Sequence, residues 1–123
     1  MSDFEEQSMR KLSSHLSLTY TALVTVSKFL PIPVSLPTGP ISNMEAIPAV
    51  RRAMALIEDQ PLPEDVQAEL NAAYAFWLAA MDVYALLATQ EFHPARAMSA
   101  AACLVQVESV VLDLAESLQG LGD

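Results

Sequence analysis

The sequence predicts an all-α protein: an antiparallel up-down four-helix bundle with three long helices, one shorter helix and a proline-rich first crossover. Three observations predict it. Apolar residues recur every three or four positions along extended segments, helix breakers are nearly absent inside those segments, and proline and glycine gather between them. The first stripe reads Met9, Leu12, Leu16, Thr19, Leu23, Val26, Leu30. A short one reads Ile47, Val50, Met54, Ile57. The remaining two read Val66, Leu70, Ala73, Trp77, Ala80, Tyr84, Leu87 and Ala97, Ala100, Leu104, Val107, Val111, Leu114, Leu118. A repeat averaging about 3.5 residues places each stripe on one side of a helix, as a seam toward its neighbours.

Helix 1 is predicted over 3–30. Ser2 or Asp3 caps it, Glu5 and Glu6 occupy the first turn where the helix dipole favours acids, and Pro31 stops it. The crossover 31–43 holds Pro31, Pro33, Pro37 and Pro40 with Gly39, so it is extended, and Ile32, Val34, Leu36 and Ile41 lay it against the bundle. Helix 2 is predicted over 44–59, capped by Ser42 or Asn43, with Pro48 tolerable only in its first turn. Helix 3 covers 63–90 and helix 4 covers 94–119, opening on Pro94 and ending at Gly120. Short links make consecutive helices antiparallel. The whole chain, 1–123, is one domain of sufficient length to bury a core.

Charge narrows the function classes. Six Lys and Arg against 15 Asp and Glu give a net charge of -9, which disfavours nucleic acid and anionic membrane surfaces, because both are bound by neutralising phosphates. A single cysteine, Cys103, forms no internal disulfide and sits as an inert thiol on a small-residue face, and the N-terminal residues lack a signal-peptide pattern, so the expected location is cytoplasmic. Scarce Lys beside abundant Ala has the bias of a bacterial genome rich in GC. A hydrophobic share of 53% raises the membrane question, and 72–88 is the best candidate span. It is short for a bilayer and carries Asp82, which costs roughly 3 kcal/mol near the bilayer centre, so no membrane span is expected.

Helix 3 is apolar nearly all round, and three neighbours do not cover every side of it. Helix 1 carries small hydroxyls on its outer face in place of charges. These features predict self-association, most simply a two-fold homodimer, through Ser17, Thr21, Leu78, Ala79, Asp82 and Leu86. Asp82 then pairs across that interface with Arg96, Lys28 or Tyr20.

Chemistry is sought among the few polar groups within apolar stretches. Measured along the helices, His15, Arg52, Tyr74 and Glu108 reach similar heights, so all four helices are expected to contribute to one polar belt. Within it His15, Glu108 and Tyr74 are candidate acid-base groups and Arg52 an anion-binding one. Small residues at the start of helix 4, opposite Trp77, Met81 and Tyr84, leave room for a ligand pocket between helices 3 and 4. Two histidines without a Glu-x-x-His pair give no metal site, and no motif calls for a cofactor. Two functions fit. One is a non-enzymatic assembly, adaptor or accessory protein that binds itself, and a second helical protein, through apolar helix faces. The other is a small-molecule-binding bundle or acid-base enzyme whose apolar interhelical pocket ends in the polar belt.

Overall fold

The computed structural model describes residues 2–39 and 43–122. Among them are four helices, α1 (Asp3–Lys28), α2 (Asn43–Ala55), α3 (Glu64–Thr89) and α4 (Pro94–Gly122), with a 3-10 turn at Ile57–Asp59 and no strand. The chain is an all-α four-helix bundle. α1 opens with a reciprocal cap: the Glu5 N–H donates to the Ser2 hydroxyl at 3.2 Å, and the Ser2 N–H donates to the Glu5 carboxylate at 3.1 Å. Such a cap is worth about 1 kcal/mol, and Asp3, Glu5 and Glu6 add favourable charge at the same end.

Several element ends differ from expectation. α1 stops at Lys28, two residues before its predicted end, as the Phe29 N–H turns back to the Val26 carbonyl. The predicted second helix is divided, with α2 ending at Ala55 and a tighter turn carrying the chain to Asp59. Its predicted cap Ser42 lies outside the described residues. Pro48 sits in the second turn of α2, not the first, with its ring exposed. Pro63 caps α3 from just outside it. Gly120 does not end α4, because it keeps helical backbone angles; the one positive-φ glycine among the described residues is Gly39, at φ 87°.

α3 is the hub, packed closely against α1, α2 and α4, while α1 also meets α4. Among the described residues, the helical elements that α2 lies against are α3 and the 3-10 turn. The alternating up-down course runs through α2, α3 and α4, as their short links require. The crossover takes a longer path. Its Val34 N–H donates to the Ser27 carbonyl at 3.0 Å, and its Pro37 carbonyl accepts from the Tyr20 hydroxyl at 2.8 Å, so the segment runs back down beside α1 before α2 begins. This return sets α1 and α4 parallel, with Phe4 and Phe92 at the same end of the bundle.

The return is pinned from the far side. Gln60, which is 4% exposed, donates from its side-chain amide to the Ile32 carbonyl at 2.7 Å and accepts from the Ile32 N–H at 3.0 Å. Gln67 in turn donates to the Gln60 carbonyl at 2.9 Å. Inside, the predicted stripes converge: Leu23, Val50, Leu70, Leu87, Leu104, Val107 and Leu114 are fully buried, each contributing about 1.5–3 kcal/mol relative to exposure. Ala73, Ala80 and Ala100 are equally buried, and their small side chains let α3 and α4 approach closely.

Candidate functional site

Of the four residues predicted to form a polar belt, two meet. His15 Nε2 and Glu108 Oε1 lie 2.5 Å apart across the groove between α1 and α4. Both sit near the middle of their helices, so their heights match whether α4 runs parallel or antiparallel to α1. Tyr74 is elsewhere. Its side chain is buried, with its hydroxyl 2.5 Å from the Ser27 hydroxyl, and burial raises its pKa while the Ser27 hydrogen bond opposes the rise. Arg52 is exposed and makes no ion pair with a described residue. Tyr74 fails on height, since Ser27 lies twelve residues, about 18 Å, along α1 from His15.

The His15–Glu108 pair orients an imidazole, and no other side chain of a described residue hydrogen-bonds that ring; Thr19, one turn away, donates to the His15 carbonyl instead. Ser8 lines the same groove seven positions before His15, about 10 Å along the helix and out of hydrogen-bond reach. With Glu108 half-exposed, the contact is a surface link between α1 and α4. Among the described residues, no three His, Cys, Asp or Glu side chains gather as a metal site would need.

The larger opening is not between α3 and α4, where the sequence placed it. There α3 and α4 pack closely with Ala100 fully buried, while Ala97 and Ala101 line the α1/α4 groove. Instead, a cleft of about 400 Å³ opens between α1, α3 and the returning crossover. Trp77, Met81 and Tyr84 line it, as candidate ligand-binding residues; Arg52 does not. Two of its aromatic residues are tied down by their polar tips. Trp77 Nε1 donates to the Leu16 carbonyl at 3.1 Å, Tyr20 donates to Pro37, and their ring centroids stand 5.3 Å apart at 45°. Burial raises the pKa of Tyr20 as well. Gly39 reaches this cleft, where its positive φ turns the chain.

The residues predicted as an interface divide between two places. Ser17 and Thr21 line the cleft. Leu78, Ala79, Asp82 and Leu86 lie outside it on α3, with Leu78 half-buried and the other three exposed. Asp82 is exposed and makes no ion pair with a described residue. Cys103 is half-buried, less enclosed than predicted.

Leu86 is 39% exposed, and several large apolar side chains are more so, with Phe29 just past the end of α1 the most at 73%. On α1 they are Phe4 (67% exposed) and Leu18 (69%), and on α4 Met98 (72%), Val105 (53%) and Leu112 (69%). Spaced at seven or fourteen residues, each set keeps to one flank of its helix. Phe4 and Met98 line the α1/α4 groove, an opening of about 280 Å³ that also holds Lys11, His15 and Ala101. Met98, Val105 and Leu112 were legible in the sequence as a second stripe beside the core stripe of helix 4, wider than three neighbours can cover. α3 and α4 are each long and apolar enough to cross a membrane by length and composition, and only 33% and 28% of their most apolar windows are buried inside the bundle. No protein-family model, curated protein or solved structure matches the chain.

Proposed function

We propose that the protein is a non-enzymatic cytosolic assembly or adaptor bundle that associates with a second copy of itself through the α1/α4 face. One observation carries this reading: Phe4, Leu18, Met98, Val105 and Leu112 leave large apolar side chains in solvent along two parallel, adjoining helices. A face of that kind gains free energy by leaving water at about 25 cal/mol for each Å² covered.

Two-fold symmetry fits the face. With two α4 helices antiparallel about an axis near Val105, Met98 of one copy sits opposite Leu112 of the other. An isologous contact satisfies both halves at once and closes at the dimer.

Light scattering over a concentration series, together with native mass spectrometry, tests this. The expected result is a dimer that Val105→Asp and Leu112→Asp convert to folded monomer, while Leu78→Glu leaves it intact. Dissociation by Leu78→Glu alone would return the interface to α3. A monomeric parent chain overturns the proposal, and co-sedimentation of that monomer with phosphatidylcholine vesicles would assign the stripe to lipid instead.

A further inference from the structure

We infer that the cleft between α1, α3 and the crossover binds an uncharged small molecule with a flat aromatic body. The site is separate from the self-association face, and neither proposal depends on the other. Its volume of about 400 Å³ falls within the range of small-molecule sites. At ~30 Å³ per water, that is room for about 13 waters, or a body of two or three fused rings.

The aromatic wall exists before any ligand arrives. Trp77 and Tyr20 each have their polar tip fixed by a backbone carbonyl, so the rings are held at a set tilt and are not free to fold into the opening. Trp77, Tyr20 and Met81 are 3%, 8% and 2% exposed, so they form a largely covered floor to which an aromatic partner makes an offset or tilted approach. A wall fixed in advance spares a ligand the cost of ordering it.

The lining determines the charge. No Asp, Glu, Lys, Arg or His is among the described residues of the cleft. An ionic ligand would lose hydration here without meeting a counter-charge. The polar groups on offer are neutral. Ser13 and Ser17, one turn apart on α1, and Tyr84 on α3 have hydroxyls that make no hydrogen bond to a described residue. Thr21 differs, since its hydroxyl donates to the Ser17 carbonyl at 3.0 Å. These hydroxyls suit a carbonyl or hydroxyl on the edge of the ligand. This also accounts for an oddity of α1, whose face through Ser13, Ser17 and Thr21 is exposed yet carries hydroxyls where solvated helices carry charges.

Trp77 is the single tryptophan of the chain, so its indole N–H gives one identifiable resonance in a ¹H–¹⁵N spectrum. The full chain is titrated with coumarin and quinolin-2-one as neutral probes and with coumarin-3-carboxylate as a charged counterpart. The expected result is a saturable shift of the Trp77 resonance by a neutral probe, with the carboxylate at least about tenfold weaker. Ser17→Phe, which fills the mouth from an exposed position, should weaken the neutral probe by a similar factor. Thr21→Phe replaces it should that variant unfold. Val105→Asp, on the other face, should leave binding unchanged. No response of Trp77 to either neutral probe at millimolar concentration, equal binding of the carboxylate, or undiminished binding by the filled variant would each overturn the inference.

Discussion

The side-chain amide of Gln60 holds both backbone polar groups of Ile32, accepting from its N–H and donating to its carbonyl. Residues 28 positions apart are thereby clamped, and the clamp joins the start of the crossover to the turn that leads into α3. Gln60→Ala removes both bonds from a buried position and should cost about 2 kcal/mol. Urea unfolding checks the loss, and limited proteolysis should show faster cleavage between Leu30 and Gly39. A change below about 0.5 kcal/mol would mean that the crossover is held elsewhere.

The Ser27 and Tyr74 hydroxyls satisfy one another inside the bundle. Tyr74→Phe should cost about 1–3 kcal/mol, because it strands the Ser27 hydroxyl, and Ser27→Ala should cost a similar amount by stranding Tyr74. The double variant should lose at least about 0.5 kcal/mol less than the two single losses combined. Strict additivity in thermal or urea unfolding would show that the hydroxyls act independently.

High pH should unfold this protein through its tyrosines. Burial raises the pKa of Tyr74 and Tyr20 in the folded chain, while both titrate near their ordinary value of about 10 once unfolded. Above about pH 10 the unfolded chain therefore holds fewer protons than the folded one, and stability falls as pH rises toward the folded values. Below about pH 10 this contribution is fully present. Urea midpoints measured alongside tyrosinate absorbance should decline in that window, and a Tyr20→Phe, Tyr74→Phe double variant should show a shallower decline. Equal slopes for the parent and the variant would refute the assignment.

His15→Ala and Glu108→Ala should each change stability by less than about 1 kcal/mol, because the pair they break is bathed in solvent on the Glu108 side. A differential scanning experiment at neutral pH suffices. Losses above about 2 kcal/mol would place the pair among the stabilising contacts of the core.

The seams were legible in the sequence because burial follows the repeat: every predicted stripe residue of α1 beyond Met9 is buried, down to Thr19. The capping box was half legible, with Ser2 named and its exchange with Glu5 seen only in the structure. Rotation was not legible. Nor was the true height of Tyr74, which bonds Ser27 about 18 Å along α1 from His15, while His15 meets Glu108 in the α1/α4 groove. Nor was the path of the crossover, since proline content fixes an extended backbone without fixing its direction. That direction moved the cleft, because the returning chain forms its edge at Thr38 and Gly39. A glutamine between Asp59 and Pro61 gave no sign that Gln60 would be buried.

The doubling back of the crossover has a kinetic meaning. α3 and α4 are joined by a four-residue link and form the most extensive helix pair, so their hairpin closes a small loop. α1 reaches the same core only after a much longer loop is closed, and loop closure must be met before its contacts return any free energy. We therefore expect α1 to dock last, onto a preformed α2–α3–α4 unit. Truncating Leu23 of α1 to Ala should act mainly by speeding unfolding, whereas truncating Leu104 of α4 should slow folding. Stopped-flow chevrons distinguish the two, and a folding rate slowed as much by the α1 change as by the α4 change would sink this order. By that route the N-terminal helix behaves as a clasp: its release would uncover Trp77 and Tyr74 while the remainder of the chain stays associated.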